Sequence, residues 1–212
     1  MTLSIALANL KPGTGKTTTS VLLAYALHRR GYDVSLADCD PAASTLAWSD
    51  AVSGFPFSVY GLAVKDAGKR LASIAGGPKT IIVVDLPQAE DHGTIVRSVL
   101  RRVDEITIPV APSTIEIERT SAIADLLGEV AEVRDRPARV AVLLNRVVTS
   151  ARSGSDARDA LVELGYDVLQ PRIPRREAYA LAYGMTPDIR DGDPFDLLAE
   201  TYLNRAGLKG RV

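Results

Sequence analysis

Residues 9–19 have the sequence NLKPGTGKTTT, and this stretch decides the fold. An apolar run at 3–8 leads into it, and a helical pattern at 21–27 follows it. A glycine-containing loop between a strand and a helix directs several backbone N–H groups at one point, where they and the helix dipole favour a phosphate. The alternative is a glycine turn that only joins strand to helix, and Gly-Lys-Thr in this context disfavours it. The stretch predicts a nucleoside triphosphate site.

Individual side chains of this loop have distinct predicted tasks. Lys16 would reach the terminal phosphates, and the Thr17 hydroxyl would bind Mg²⁺. Gly13 and Gly15 would allow the backbone to approach the nucleotide closely. The loop therefore predicts both a nucleotide and a magnesium ion.

The loop departs from the general phosphate-loop pattern at its start. Leu10 stands where a glycine is expected, and an additional lysine, Lys11, follows it. This resembles the deviant Walker A loop (KGGxGKT) of the ParA/MinD family of ATPases, and the resemblance implies that Lys11 crosses a dimer interface to the ATP of the partner subunit. Pro12 occupies a family glycine; it has no N–H, so one phosphate donor is lost, and it adds bulk where two subunits would meet.

Length and composition indicate an ordinary globular protein. The 212 residues suit a single domain spanning 1–212, and 46% of them are hydrophobic and 24% charged. Since no apolar run approaches the roughly 20 residues of a membrane span and no signal peptide is evident, we expect a cytoplasmic location. The single cysteine, Cys39, excludes an internal disulfide. A net charge of −1 means that any nucleic-acid binding must use a local patch or one formed on dimerisation.

Apolar runs alternate with helical patterns along the chain. This alternation predicts an α/β fold with a doubly wound, mostly parallel sheet and helices on both faces. Strands are predicted at 3–8, 32–38, 57–60, 80–85, 105–110 and 139–144 and near Val168. Helices are predicted at 21–27, 64–75, 115–133, 155–164, 176–183 and 194–206.

Asp85 ends the predicted buried strand at 80–85. Ligands of open α/β sheets sit beyond the carboxyl ends of strands, so this carboxylate could hold Mg²⁺ directly or through water. The alternative is an aspartate that starts a turn before Pro87. The sequence Asp-Leu-Pro at 85–87 resembles the Walker B segment of the ParA/MinD family, from which Leu86 and Gln88 depart.

Asp38 and Asp40 bracket Cys39 at the end of the second predicted strand. If the chain is still extended there, the two carboxylates point to the same side, and one could serve Mg²⁺ while the other polarises the attacking water. The alternative is a pair of turn formers before Pro41. The segment resembles the family's Walker A′ motif, which implies hydrolysis for Asp40 and a magnesium and architectural role for Asp38. Cys39 would point into the core.

Asn145 and Arg146 follow the strand at 139–144, where the base of a nucleotide would lie. An Asn amide can pair with both the donor and the acceptor of adenine, and a plain polar loop is the alternative. Relatives place base contacts here and in the segment that resembles 173–176. Together, the loop and the resemblance assign ATP contacts to Lys11, Gly13, Thr14, Gly15, Lys16, Thr17, Thr18 and Asn145.

Basic residues gather late in the chain, at Arg172, Arg175, Arg176, Arg190, Arg205, Lys209 and Arg211. A two-fold dimer would present such a set twice and could bind DNA phosphates without reading sequence. The alternative is a solvated surface balanced by neighbouring acidic residues. Resemblance to ParA-type members implies non-specific DNA binding, which we assign to Arg172, Arg175 and Arg176.

The segment 195–203 can form an amphipathic helix. MinD-type relatives end in a basic membrane-targeting helix, whereas here Asp196 and Glu200 occupy the polar face. We therefore expect this helix to pack on the core, without stable membrane attachment.

The resemblance runs from residue 1 to about 203 in motif order. It implies a ParA-like ATPase that binds ATP with Mg²⁺, forms a homodimer, binds DNA non-specifically as a nucleoid-associated protein, and hydrolyses ATP when a ParB-like or other partner stimulates it. Its cargo would be a plasmid, a chromosomal region or another large assembly. Two alternatives stay open: a metabolic enzyme resembling dethiobiotin synthetase, which has no need of Lys11, and a MinD-like membrane organiser, which the tail disfavours.

Overall fold

A parallel sheet forms the centre of the computed structural model, which describes residues 3–77 and 79–208. Its strands are β1 (Leu3–Asn9), β2 (Asp33–Asp38), β3 (Ser58–Gly61), β4 (Thr80–Gln88), β5 (Glu105–Val110) and β6 (Arg139–Leu144). The six strands lie in the order β3-β2-β4-β1-β5-β6, and each neighbouring pair runs parallel. β1 is thus an interior strand, buried except at its end, and the phosphate loop emerges from the middle of the sheet.

Helices cover both faces of this sheet. They are α1 (Lys16–Arg29), α2 (Ser44–Ala51), α3 (Ala67–Arg70), α4 (Ala89–Leu100), α5 (Thr114–Glu118), α6 (Thr120–Ala131), α7 (Ser153–Glu163), α8 (Glu177–Ala180) and α9 (Pro194–Arg205), with a 3-10 turn at Leu71–Ile74. One core cluster joins α1 and α9 through Leu23 and Leu198, and another joins α4, α6 and α7 through Val99, Ile123 and Leu161. The predicted doubly wound sheet is confirmed.

Several predicted elements differ in extent. The helix predicted at 115–133 is broken into α5 and α6 at Arg119, where the Thr120 hydroxyl donates to the Ile117 carbonyl at 2.6 Å and competes with the helical hydrogen bonds. The helix predicted at 64–75 is reduced to α3 and the 3-10 turn, and that at 176–183 to α8. The strand expected near Val168 is an isolated bridge to Val142.

The strand that carries Asp85 is longer than predicted. β4 continues to Gln88, so Asp85 lies inside the strand and not at its end. It stands opposite Asp38 of β2 on one side and Leu7 of β1 on the other. The register of β1 against β4 then shifts between Leu7 and Asn9, where the Asn9 Nδ2 donates to the Pro109 carbonyl at 2.9 Å. These strands therefore end together around the start of the phosphate loop.

Helix α2 begins just beyond β2 and carries Trp48, which is 1% exposed. The indole N–H donates to the Met185 carbonyl at 2.8 Å, and the ring lies 5.6 Å from that of Tyr183 and 6.2 Å from that of Phe55. A single buried aromatic side chain thus links α2 to the segment after α8.

Helix α9 packs on the core, as predicted. Phe195, Leu198 and Tyr202 are buried against α1 and the sheet. Asp196 is only 3% exposed and accepts two hydrogen bonds from Arg30, at 2.7 and 3.0 Å. It therefore belongs to a buried ion pair and does not lie on a solvated face of the helix, as the sequence had suggested. Across residues 3–77 and 79–208, no helix has the length and apolar character needed to cross a membrane.

Candidate functional site

The phosphate loop spans residues 10–15 between β1 and α1. Gly13 and Gly15 have φ angles of 73° and 89°, which a side chain would strain. A Cβ on Gly13 would meet nothing within 4 Å, so the loop backbone faces open space there. No side chain of the described residues caps the start of α1. The first N–H groups of this helix are therefore available to an anion.

Lys16 begins α1 and is 7% exposed. Its ammonium donates to the Lys11 carbonyl at 3.1 Å, inside the loop. Burial lowers the pKa of Lys16, and the nearby charges of Asp85 and Asp40 oppose that shift. A buried ammonium that rests on a backbone carbonyl is well placed to turn to a phosphate, whose negative charge would stabilise its charged form.

Asp85 is completely buried beside this lysine. One carboxylate oxygen accepts from the Thr45 hydroxyl at 2.9 Å, and the other lies 3.4 Å from the Ser20 hydroxyl. Burial raises the pKa of Asp85 to about 7, and hydrogen bonds from Thr17 and Thr45 limit the rise. Thr17 is thus close enough to Asp85 to affect its pKa, and both belong to the three residues predicted to serve Mg²⁺.

Asp38, the third of these residues, is 1% exposed and holds the start of α2. Its carboxylate accepts from the backbone N–H groups of Asp40, Thr45 and Leu46 at 3.0 to 3.1 Å. Burial raises its pKa, and these three bonds counteract the rise. Asp38 thus shapes the site by positioning α2, which fits the architectural part of its predicted role.

The turn after β2 begins at Asp40: the Cys39 N–H still donates to the Asp85 carbonyl of β4 at 2.9 Å, and the Ala43 N–H donates to the Asp40 carbonyl at 2.9 Å. β2 ends at Asp38, whose carboxylate accepts from the Asp40 N–H at 3.1 Å. The Asp40 carboxylate is half-buried and accepts from the Ala42 N–H at 2.9 Å, near enough to Lys16 to favour its charged form. Cys39 is fully buried in the core, as predicted.

Asn145 reaches the phosphate loop from the end of β6. Its Nδ2 donates to the Thr14 carbonyl at 3.1 Å, and its Oδ1 accepts from the Arg146 N–H at 2.8 Å. A Cβ on Gly15 would come within 2.5 Å of the same Nδ2. The side chain is 6% exposed, so the structure shows it supporting the loop; the contact with adenine stays a prediction.

The three arginines assigned to DNA lie beyond this constellation. Arg172 and Arg175 are exposed, whereas Arg176 lies 3.3 Å from the Tyr179 hydroxyl and 3.8 Å from Asp193. Among the other late basic residues, the charge of Arg190 is compensated by Asp188, and that of Arg205 by Glu105 and Asp167. Lys209 and Arg211 lie outside the described residues.

The structure brings together most of the site residues predicted from the sequence. Lys11, Thr17 and Thr18 are half-buried around Lys16 in the loop and first helical turn. It also adds Ser20 and Thr45, which hold Asp85 and which sequence reasoning missed. Neither has a sequence signal, since each meets Asp85 only through the tertiary fold.

Within the described ranges, no cluster of three or more His, Cys, Asp or Glu side chains could hold a metal by itself.

Comparison with known proteins decides the family. The model of the CobQ/CobB/MinD/ParA nucleotide binding domain matches residues 5–187. The chain belongs to this family. The match spans the phosphate loop, both acidic segments and Asn145, so the resemblance found in the sequence is confirmed.

Similar members of the CobQ/CobB/MinD/ParA family include two with partition or distribution names. Protein ParA of Rhizobium radiobacter is 26% identical over 183 residues, covering 84% of this chain and 81% of that protein. Maintenance of carboxysome distribution protein A of Halothiobacillus neapolitanus is 28% identical over 178 residues, covering 83% and 81%. The cobyrinic acid a,c-diamide synthase of Mycobacterium smegmatis, solved with an ATP analog and magnesium, superposes with a TM-score of 0.76 at 17% identity, covering 100% of this chain and 98% of that one. This last likeness supports the shared fold.

Proposed function

We propose that this protein is a ParA-type ATPase that binds ATP with Mg²⁺ in the phosphate loop and hydrolyses it slowly. The observation that carries the proposal is a buried Lys16 ammonium that donates to the Lys11 carbonyl inside the phosphate loop, with Asp85 and Asp40 close enough to favour its charged form. The Thr14 hydroxyl oxygen in the same loop is buried and lacks a hydrogen-bond partner among the described residues. A buried polar atom without a partner fits a loop that binds a polar ligand.

The nucleotide phosphates would lie against the backbone from Gly13 to Thr18, with Lys16 at the terminal phosphate. Mg²⁺ would be held by the Thr17 hydroxyl, with Asp85 and Asp38 acting on its water shell. The ion neutralises charge that develops on the phosphate oxygens. Asp85 serves this role best when ionised, and both Lys16 and a bound cation favour its ionised form.

Asp40 would position and polarise the attacking water. It is the half-buried member of the Asp38 and Asp40 pair, and one of its oxygens bonds only to the Ala42 N–H among the described residues. Its partner Asp38 is committed to α2, so the two carboxylates have separate tasks. This division supports the catalytic assignment of Asp40.

A homodimer formed on ATP binding would complete the site through Lys11. Within the described part of the chain, the Lys11 ammonium makes no hydrogen bond or ion pair, although its backbone bonds to Asn9 and Lys16. It is therefore free to reach the nucleotide of a partner subunit. Pro12 and Gly13 are exposed beside it, so the loop presents a surface on which a second copy could close.

The dimer would bind DNA non-specifically and move a plasmid, a chromosomal region or another large cargo with a ParB-like or other activating protein. The names of the two relatives, ParA and maintenance of carboxysome distribution protein A, support this kind of role. Arg172 and Arg175 are exposed and form no ion pair with any described residue, and Arg176 contributes less because Asp193 lies near it. Contact with phosphates alone gives binding that falls steeply with salt.

The decisive experiment is titration calorimetry with ATP and Mg²⁺. Wild type and the control Lys65→Ala, an exposed lysine outside the site, should bind equally, whereas Lys16→Ala should show no binding while keeping its circular dichroism spectrum. Unchanged affinity in Lys16→Ala would refute the site.

Mobility shifts of random duplex DNA with and without ATP test the DNA role. Arg175→Ala combined with Arg176→Ala should weaken ATP-dependent binding, and Arg190→Ala should not, because Asp188 already compensates that arginine. Binding that ignores ATP, or that survives the double substitution, would contradict this part of the proposal.

A further inference from the structure

A cleft of about 620 Å³ lies at the edge of the sheet opposite the phosphate loop. Leu3, Glu105 and Arg139, the first residues of β1, β5 and β6, line it. Since β1 has seven residues and a strand rises about 3.3 Å per residue, the cleft is roughly 20 Å from the loop at the other end of β1. It is therefore separate from the nucleotide site.

Arginines dominate the charge of this cleft. The lining contains five arginines and three carboxylates, which gives a net charge of 5 − 3 = +2 on a chain whose net charge is −1. The guanidinium groups of Arg101, Arg102 and Arg136 form no hydrogen bond or ion pair with any described residue. All three are exposed, so they can turn to a ligand.

Arg134 organises the two segments that carry these arginines. Its guanidinium donates to the carbonyls of Leu100, the last residue of α4, and of Val103. It also donates, at 2.8 Å, to the carbonyl of Arg136 in the loop before β6. Each of these bonds goes to a neutral oxygen, so the charge of Arg134 is not cancelled by a directly bonded carboxylate. The structure thus holds two arginine-bearing segments side by side before any ligand arrives.

The carboxylates of the cleft are largely engaged elsewhere. Asp104 accepts from the backbone N–H and the hydroxyl of Ser4, at 2.8 and 2.6 Å. Glu105 is 2% exposed and pairs with Arg205 at 3.0 Å and with Arg139 at 3.5 Å. Neither pairs with Arg101, Arg102 or Arg136. The third carboxylate, Asp135, is exposed and forms no ion pair with these arginines among the described residues, so the lining keeps its net positive charge.

We propose that this cleft binds a small polyanion that carries at least two phosphoryl groups. Guanidinium groups pair with phosphate oxygens through two parallel hydrogen bonds, and several arginines on adjoining segments favour more than one such group. The volume falls within the range of about 300–1,000 Å³ that is typical of small-molecule sites. A concave cleft of this size encloses a compact ligand, whereas a nucleic-acid duplex needs an extended surface. Binding there would give this protein a second anion site, independent of ATP.

Calorimetric titration with inorganic tripolyphosphate, in magnesium-free buffer, tests the proposal. The titration uses Lys16→Ala, so that the phosphate loop does not contribute. One site is expected, and affinity should fall at least about tenfold when Arg101→Gln, Arg102→Gln and Arg136→Gln are added. The matched control removes the same charge from exposed residues outside the cleft, by Lys65→Gln, Lys79→Gln and Arg152→Gln, and should bind like the parent.

Three results would overturn the proposal: no binding, equal binding by the arginine variant, or an equal loss in the control, which would indicate general charge attraction. Random duplex DNA is titrated in parallel. If DNA binding needs the three arginines while tripolyphosphate does not bind, the cleft belongs to a nucleic-acid surface and the proposal is wrong. A single Arg136→Glu variant repeats the measurement, so that a folding defect in the triple variant does not decide it; undiminished binding there would also count against the cleft.

Discussion

Replacing Asp85 by Asn should stabilise the unliganded protein at neutral and alkaline pH. Asp85 is fully buried, and burial raises its pKa from 3.8 to about 7. The folded protein therefore keeps a proton on Asp85 that the unfolded chain releases as the pH rises from about 4 to about 7. Because the unfolded state then binds fewer protons than the folded state, stability falls with rising pH over this range. The Asp85→Asn variant would be spared this loss, and the oxygen of the new amide can still accept from Thr45.

The size of the effect follows from the two pKa values. Each pKa unit corresponds to about 1.36 kcal/mol, so a pKa of about 7 in place of 3.8 costs the wild type up to about 4 kcal/mol at pH 8. At pH 5 the same difference in pKa costs the wild type only about 1.5 kcal/mol of stability. For a chain of this length, about 2–4 °C of melting temperature accompanies each kcal/mol, so Asp85→Asn should melt about 8–16 °C higher at pH 8 and about 3–6 °C higher at pH 5.

The difference in melting temperature is measured by thermal unfolding followed by circular dichroism at pH 5, 6, 7 and 8, in the absence of nucleotide and magnesium. Asp159→Asn, which neutralises an exposed aspartate on α7, is the matched control and should shift the melting temperature little at any pH. A difference between Asp85→Asn and wild type that is the same at pH 5 and pH 8 would refute the assignment of a raised pKa to this carboxylate. The same variant should bind ATP with Mg²⁺ less well, because it lacks the charge that acts on the ion.

Further substitutions separate the tasks of neighbouring residues. Asp40→Ala should keep ATP affinity within about twofold but slow phosphate release at least about 100-fold, trapping a nucleotide-bound dimer detectable by light scattering. Asn145→Ala, which removes the bond to the Thr14 carbonyl, should weaken ATP binding about tenfold in calorimetry, and an unchanged affinity would deny the amide its supporting role. Asp196→Ala should lower the free energy of unfolding in urea by about 2 kcal/mol, because Arg30 loses two hydrogen bonds and keeps one to Glu200.

The sequence predicts the parts of this molecule that depend on local pattern. The phosphate loop, the buried strands and the alternation that makes the sheet parallel are all encoded in short stretches. Helix α4 was missed: Gly93 and several β-branched residues lower its helix propensity, and His92 lies at a kink with φ −123° and ψ 34°. The segment of α2, Ser44–Ala51, is too short to show a clear helical period.

Contacts between distant residues account for the rest. The hydroxyl of Thr45 meets Asp85 across 40 residues of sequence, and Asn145 meets the Thr14 carbonyl across 131. The position of Asn145 after a predicted strand, together with the resemblance, predicts that it lies near the nucleotide, but its orientation depends on how β6 ends beside the loop. The sequence was compatible both with an extended chain from Asp38 to Asp40 and with a turn, and the structure places the turn at Pro41 and Ala42.

The packing of Trp48 gives this protein an intrinsic optical probe. It is the chain's single tryptophan, and it lies on the helix whose first N–H groups are held by Asp38. Its indole is shielded from water, hydrogen-bonded to the Met185 carbonyl and close to two other rings. Tryptophan fluorescence therefore comes from one position, on the helix whose start is hydrogen-bonded to Asp38 of the site. A displacement of α2 during a reaction cycle would change emission wavelength or intensity in the unlabelled protein, which makes stopped-flow recording of that motion practicable.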